Sequence, residues 1–327
     1  MRVLVTGVAG FIGFHVARRL LARGDRVVGI DNLNDYYDVS LKRDRLAVLA
    51  KHGNAASFRF LELDINDAAG IEHLFGEQAI DRVIHLAAQA GVRYSLENPR
   101  AYIEGNIVGF FNVLEASKVA HVDHFVYASS SSVYGNNKKV PYAVEDNVDH
   151  PVSLYAATKK SDELIAHVYS HLHQLPTTGL RFFTVYGPWG RPDMSPMIFA
   201  KAIFSGETIR LFNYGKHSRD FTYVDDIVDG IIRVVDNPPT SVDGNAPYAV
   251  HNIGNHRPVN LEDYVKVFER TIGKKAVVEL VPMQPGDVEA TFADISTMQE
   301  QFGYQPSTSI EQGIARFVEW YRSYYKR

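Results

Sequence analysis

The first thirteen residues, MRVLVTGVAGFIG, confine the chain to a small set of folds. Residues 2–6 read as a short apolar strand. Gly7, Gly10 and Gly13 follow, and then an apolar helix runs through Leu21. Gly7 suits the tight strand-to-helix turn, Gly10 lets backbone approach a pyrophosphate, and Gly13 lets the helix pack on the strand. A diphosphate placed there meets unpaired N–H groups and the positive end of the helix dipole. A second strand, at 26–30, ends in Asp31. A carboxylate at that point accepts hydrogen bonds from ribose hydroxyls and repels a 2′-phosphate.

The alternation continues, with strands expected at 58–63, 82–86, 124–129 and 179–183. It predicts an α/β fold, a Rossmann-type doubly wound parallel sheet with helices on both faces. A charged, Tyr-rich stretch at 32–56 is long for a connection and predicts a short helix. Beyond Gly187 the texture changes. YGPWGRPDMSP reads as an irregular loop, and short strands (209–212, 248–252, 277–281) mix with helices near 225–236, 260–272 and 309–324. These predict a dinucleotide-binding domain at 1–183 and a smaller mixed α/β substrate lobe at 184–327. The boundary is approximate, and the chain has room to cross between lobes again near 225–255.

Composition excludes several functions. A net charge of −4 with no basic block argues against nucleic acid. The absence of cysteine removes disulfides, thiolate metal sites and cysteine nucleophiles. No apolar run approaches the ~20 residues that span a bilayer. The chain enters a strand within two residues of its start, so no signal peptide is expected. The expectation is a soluble cytoplasmic enzyme with no membrane partner.

Tyr155 and Lys159, in SLYAATKKSDEL, lie four apart on an expected helix and share one face. A free tyrosine, with a pKa of about 10, is a poor base at neutral pH. An adjacent ammonium favours the phenolate, which can then take a proton from a hydroxyl and return it. In HFVYASSSSVYG, small hydroxyl residues follow a buried strand at its C-terminal end, where open α/β sheets place their sites. His167 and His171 have metal spacing on that same expected helix. Position 168 is valine rather than the glutamate of a zinc protease motif, so no metal is expected.

Together these residues resemble the extended short-chain dehydrogenase/reductase family, the NAD-dependent sugar-nucleotide epimerase group. The Gly-x-x-Gly-x-x-Gly spacing, the Ser four residues before a Tyr-Gly pair and Tyr-x-x-x-Lys recur together there. The likeness covers nearly the whole chain. The segments 31–46, 87–99, 180–194 and 219–230 are most similar to UDP-glucuronate 4-epimerases. The resemblance implies Tyr155 as acid/base, Lys159 as its partner and Ser130 on the reacting hydroxyl. It implies NAD contacts from Gly7, Gly10, Phe11, Ile12, Gly13, Asp31, Asn32, Asp64, Ile65, Leu86, Ala87 and Ala88. Asn106 fits either a cofactor contact or a helix cap. On the substrate side it implies Arg219 on the diphosphate, Phe212 near uracil and Asp287 near the uridine ribose. Ser131, Ser132, Thr184 and Arg191 are implied near a sugar carboxylate, and Arg93 near sugar or diphosphate. The family often has an arginine where this chain has Gln284. A homodimer is implied, packed through the helices expected near 100–118 and 155–173, although burial within one subunit also fits their pattern.

The implied reaction is C4 inversion of a UDP-hexuronate through a 4-keto sugar. The similar 4,6-dehydratases carry Asp-Glu after the catalytic Ser/Thr, and UDP-xylose synthases carry a glutamate nearby. Ser131 and Ser132 stand here instead, and serine cannot do that acid–base work at neutral pH. The alternatives are a UDP-glucose or UDP-N-acetylglucosamine 4-epimerase and, from another class, a non-catalytic NAD sensor of the same fold. Sensors of that kind commonly lose the Tyr/Lys pair, which is present here.

Overall fold

The computed structural model describes residues 1–283 and 289–327. They form two compact units. The first comprises Met1–Asn136, Val144–Phe182 and Val228–His251. The second comprises Asn137–Ala143, Phe183–Ile227 and Asn252–Arg327.

The chain opens with β1 (Arg2–Thr6), α1 (Phe11–Arg23), β2 (Arg26–Asp31), α2 (Val39–Ala50), β3 (Phe58–Glu62), α3 (Ala68–Glu77) and β4 (Arg82–His85). Two one-turn helices follow, α4 (Tyr94–Glu97) and α5 (Pro99–Tyr102). A π-helical segment (Ile103–Val108) leads into α6 (Gly109–Val119), β5 (His124–Ser130), α7 (Leu154–His173) and β6 (Thr177–Phe182). The rest is β7 (Thr184–Tyr186), α8 (Ser195–Ser205), β8 (Thr208–Leu211), β9 (Ser218–Tyr223), α9 (Val224–Asp236), β10 (Tyr248–Ile253), β11 (Pro258–Asn260), α10 (Leu261–Ile272), β12 (Val277–Leu280), β13 (Ala290–Thr291), α11 (Ser296–Phe302) and α12 (Ile310–Tyr325).

In the first unit seven strands form one sheet, ordered β10-β6-β5-β4-β1-β2-β3. The pairs from β6 to β3 are parallel. Near-continuous burial of β1, β2 and β5 matches helices on both faces. One face packs Leu4, Val28, Val83 and Phe125 against Ile71 and Leu74 of α3 and Phe110, Val113 and Leu114 of α6. Residues Val228–His251 return to the first unit, within the 225–255 stretch where a second crossing has room, and the strand at 248–252 pairs beside β6 in the large sheet. Two sequence expectations need correction. β6 starts at Thr177, because buried, β-branched Thr177 and Thr178 extend its pairing with Phe125 and Val126. The helix expected near 100–118 is interrupted by the π-helical segment.

In the second unit β9 pairs with β7, β11 and β13, and β8 with β12. Its core is aromatic. Tyr264 of α10 stacks on Phe221 of β9 with ring centroids 4.0 Å apart, and Phe268 meets Phe317 of α12 edge-on. A reciprocal Ser309–Gln312 capping box starts α12. Among the described residues no helix is long and apolar enough to cross a membrane.

Candidate active site

The strand order reverses between β1 and β4, the point at which doubly wound sheets open a crevice at their C-terminal ends. Gly7, just past β1, has φ +68°, and a Cβ there would stand 2.9 Å from the backbone nitrogen of Ala87. A Cβ on Gly13 would stand 2.1 Å from the Gly7 carbonyl oxygen, so α1 can approach the loop only without one. Gly10 caps α1, whose first turn carries no acidic side chain. The first N–H groups of that turn, from Phe11, Ile12 and Gly13, have no intrahelical acceptor and are available to an anion.

Asp31 ends β2, almost wholly buried. Its Oδ2 accepts the Ala9 N–H (3.2 Å) and its Oδ1 the Leu33 N–H (2.9 Å), while Lys42 Nζ lies 3.9 Å away. Burial pushes its carboxyl up from the usual range, and Lys42 pulls the other way. Asp64, after β3, accepts from Asn32 Nδ2 at 2.8 Å and from the Asn66 N–H at 2.8 Å, with Ile65 buried beside it. Leu86, Ala87 and Ala88 continue from β4, and the N–H groups of Leu86 and Ala87 donate to Thr6 Oγ1. A glycine cradle, a helix N-terminus, and carboxylates ending two adjacent strands fit a dinucleotide.

Two supporting residues escape a linear reading. Thr6 is buried in β1, and its hydroxyl gathers the backbone that leaves β4. Arg45 of α2 is fully buried and donates to the Ala9 carbonyl and to Tyr37 Oη, both at 2.8 Å, bracing the loop between β1 and α1. Arg45 sits in a charged stretch that reads as surface. The apolar spacing of Leu41, Arg45 and Leu49 on one helix face is the signal that was there to find.

Ser153 caps α7 by accepting the Ala156 N–H at 3.1 Å. Tyr155, in the first turn, is partly exposed, and its ring meets Tyr102 edge-on at 6.0 Å. Lys159, one turn on, is 2 % exposed and donates to Asp162 Oδ2 at 3.1 Å. Asn106 is buried in the π-helical segment and is not a cap. Its Oδ1 accepts the Gln89 N–H (2.7 Å), and its Nδ2 donates to the Gln89 carbonyl (3.1 Å) and Thr158 Oγ1 (3.0 Å). It therefore ties the chain after β4 to the Tyr155–Lys159 helix.

At the end of β5, Ser130 Oγ accepts the Ser132 N–H at 3.1 Å and starts a 3₁₀ turn, Ser131–Tyr134. That turn presents Ser131 and Ser132 half-exposed. Beneath it lies a buried network. Arg181 of β6 grips Glu163 of α7 with two bonds of 2.8 Å, Ser129 donates to Glu163 Oε1 at 2.6 Å, and Arg181 also donates to Tyr134 Oη at 3.0 Å. Two-pronged pairing of this kind fixes α7 on the sheet. Asp162, Glu163 and Arg181 are further residues that the sequence reading did not single out. Their signal is a pair of carboxylates on the inward side of α7 and one arginine in a strand with no other charge.

In the second unit Thr184 begins β7 and pairs with Phe221 of β9. Arg191 donates from Nε and Nη2 to Asp193 at 3.0 and 2.5 Å. Trp189, in the same loop, has φ +63° and packs against Trp320 and Tyr324 of α12. Phe212 opens a 3₁₀ turn after β8. Arg219 of β9 donates to the carbonyls of Ser218 (2.9 Å) and Glu289 (3.1 Å). Gln284 and Asp287 lie outside the described residues. Arg93, in the first unit, is exposed just ahead of α4.

The sequence matches the GDP-mannose 4,6 dehydratase family over residues 4–317, and the chain belongs to that family. Among its relatives, a probable UDP-glucuronate 4-epimerase of Rhizobium meliloti is 47% identical over 339 residues, covering 100% of this chain and 98% of that one. UDP-glucuronate 4-epimerase 4 of Arabidopsis thaliana is 50% identical over 334 residues, 99% of this chain and 76% of that one. Among solved structures, the UDP-glucuronic acid 4-epimerase of Bacillus cereus in complex with UDP-glucuronic acid and NAD superposes with a TM-score of 0.90 at 33% identity, covering 99% of this chain and 100% of that one. The UDP-glucose 4-epimerase of Thermotoga maritima with UDP-glucose gives 0.86 at 31%, with 99% and 100% coverage.

Proposed function

We propose that this protein interconverts UDP-glucuronate and UDP-galacturonate by inversion at C4, with NAD as resident cofactor. One observation carries the reading. An intact Tyr155–Lys159 helix, beside a serine turn free of carboxylates, lies in a chain that aligns over its full length, at 47% identity, with a probable UDP-glucuronate 4-epimerase.

Bound NAD would supply a reversible hydride acceptor at C4. The first unit would hold it, with Gly7, Gly10 and the α1 N-terminus for the diphosphate, Asp31 for the adenosine ribose, Asp64 for the adenine, and Ala87 and Ala88 as small residues alongside. Tyr155 takes the 4-OH proton, Lys159 stabilises the phenolate, and Ser130 orients the hydroxyl. The sugar then turns and Tyr155 returns the proton. Ser131 and Ser132 offer hydrogen bonds but no acid–base group for loss of water. In the second unit Arg219 is assigned to the diphosphate, Phe212 to uracil, and Thr184 with Arg191 to the uronate carboxylate. Guanidinium suits diphosphate and carboxylate because its donors form a rigid fork.

The enzyme is further proposed to be a cytoplasmic homodimer. Supporting the dimer, Leu164, Val168 and Leu172 form an exposed stripe at four-residue spacing on α7, and Val108, at the end of the π-helical segment, and Phe111 of α6 are exposed. Light scattering of wild type against a Leu164→Glu, Val168→Glu double variant tests it.

For the reaction, the protein is incubated separately with UDP-glucuronate, UDP-glucose and UDP-N-acetylglucosamine, and products are identified by NMR. UDP-galacturonate from UDP-glucuronate is expected. Preferred turnover of UDP-glucose, or UDP-pentose as the main product, overturns the reading.

A further inference from the structure

Lys159 is buried with one carboxylate. Its Nζ donates to Asp162 Oδ2 at 3.1 Å, Asp162 is itself fully buried, and among the described residues no other carboxylate lies within ion-pair distance of that ammonium. The second carboxylate oxygen of Asp162, Oδ1, is buried with no hydrogen-bond partner among the described residues. A structural ion pair normally satisfies its acceptors, and an oxygen left unsatisfied at this depth is costly. Asp162 takes no part in holding α7 to the sheet. Glu163 does that through Arg181 and Ser129.

The surroundings leave this pair to set its own charge balance. On α7 the neighbouring charges are Glu163, already matched by Arg181 of β6, and Lys160, 3.8 Å from Glu163. On β4, His85 is buried and neutral at ordinary pH, its pKa lowered to about 3 by burial and then by the Lys159 charge. On β5, burial holds the Tyr127 hydroxyl in its protonated form, with Asp162 adding to the effect. The π-helical segment contributes uncharged Asn106. Burial pushes the Asp162 carboxyl up to about 7, against the pull of Lys159.

We propose that Asp162 is a positioning residue for Lys159: its carboxylate holds the ammonium and offsets part of its charge, and so governs the pH dependence of the reaction at Tyr155. The inference rests on the reading of Tyr155 and Lys159 given above. A cation lowers the tyrosine pKa, and an anion at the back of that cation raises it again. Protonating or neutralising Asp162 therefore releases the full effect of Lys159 on Tyr155. Asp162 exchanges no proton with substrate.

The test is the pH dependence of kcat/KM for UDP-glucuronate in NAD-loaded full-length protein, which reports the essential base of the free enzyme. Asp162→Asn should move the acidic limb to lower pH, by less than the roughly one unit of a full nearby charge, because Asp162 is itself partly protonated near pH 7. Asp162→Glu should return it towards the wild-type position. A uniform loss of rate with the limb unmoved, or a limb moved to higher pH, overturns the proposal. Where Asp162→Asn does not fold, Asp162→Ser serves with the same readout. If neither gives folded, NAD-loaded protein, the proposal is overturned too, since Asp162 is then a determinant of the fold. Tyr155→Phe, run alongside, separates the two layers. If it keeps wild-type turnover, the base assignment fails. If it is inactive while the limb of Asp162→Asn stays in place, only the present inference fails.

Discussion

Thr6 Oγ1 lies 3.1 Å from His85 Nδ1 while accepting the N–H groups of Leu86 at 3.1 Å and Ala87 at 3.0 Å. A hydroxyl has one proton and two acceptor sites. Both acceptor sites are filled, so the proton points at Nδ1, and His85 is the neutral tautomer protonated on Nε2. Thr6→Val keeps the shape and leaves two backbone donors without their acceptor. Stability should drop by about 1–3 kcal/mol, and NAD should be retained less well. Thr6→Ser should restore both. Thermal unfolding and the nucleotide content of purified protein give the answer.

Acid should destabilise the fold through buried imidazoles. Burial lowers the pKa of His85 to about 3, and those of His124 and His251 to about 4. Their folded values lie below the unfolded value of about 6.5, so the unfolded chain binds more protons between these limits. Their stabilisation is complete above about pH 6.5 and is lost as pH falls towards 4 and 3. Asp162, raised to about 7, has the opposite sign: its contribution is complete below about pH 4 and lost as pH rises through 7. Burial also raises the carboxyls of Asp31 and Asp220, in the same sense as Asp162. The three large imidazole shifts outweigh these carboxyls, so Tm should fall from pH 7 to pH 4. His85→Asn should flatten that slope.

Tyr155→Phe retains the ring that packs edge-on against Tyr102 and removes only the hydroxyl. Turnover should fall at least ~10²-fold, the usual scale for a positioned acid–base group. Circular dichroism and NAD content should match wild type.

Asp31 should exclude a 2′-phosphate by charge, so heat-released nucleotide should be NAD(H) rather than NADP(H) by mass spectrometry. Asp31→Asn removes the repulsion and leaves Lys42 nearby. The preference should shift towards NADP(H) by on the order of tenfold or more. An unchanged ratio would show that Asp31 does not face the ribose.

Oxidation at C4 of a glucuronate gives a β-keto acid that loses CO₂ readily if its carboxylate is free to align with the carbonyl. Arg191, itself oriented by two bonds to Asp193, is assigned to restrain that group. Arg191→Ala should lower kcat/KM for UDP-glucuronate by roughly 10- to 100-fold, the worth of a charge-assisted bond, and affect residual UDP-glucose turnover far less. If both sugars suffer equally, the carboxylate contact lies elsewhere and Arg93 becomes the next candidate.

Much of the first unit was legible because its signals are local. Parallel strands buried on both faces read as apolar runs, the glycines between β1 and α1 stand at fixed spacing, and Tyr155 and Lys159 are one helical turn apart. What escaped depends on partners distant in sequence. Thr6 acts on a backbone segment about eighty residues away, Glu163 meets Arg181 from another element, and β10 pairs at the edge of the large sheet after the chain has visited the second unit. Arg45 escaped for a different reason. A guanidinium in a charged stretch signals solvent unless its acceptors, here Ala9 and Tyr37, are known. The sugar-side residues were read from resemblance to a family, since irregular loops carry no period to follow.

The π-helical segment at Ile103–Val108 has a consequence for the reach of the helix that contains it. One extra residue in a turn advances the helical phase by roughly 100°. A single rod then presents two differently oriented surfaces, one at each end of the offset. Before it, Tyr102 is buried and bonds the carbonyls of Ala90 and Gly91; within it, Asn106 faces Gln89 and Thr158; beyond it, Phe110, Val113 and Leu114 enter the core while Phe111 stays exposed. The offset accounts for part of the apolar pattern around 100–118, and the exposed Ile103, Val108 and Phe111 account for the rest. Deleting one residue there would leave the composition almost untouched and turn one end of the helix away from its partners.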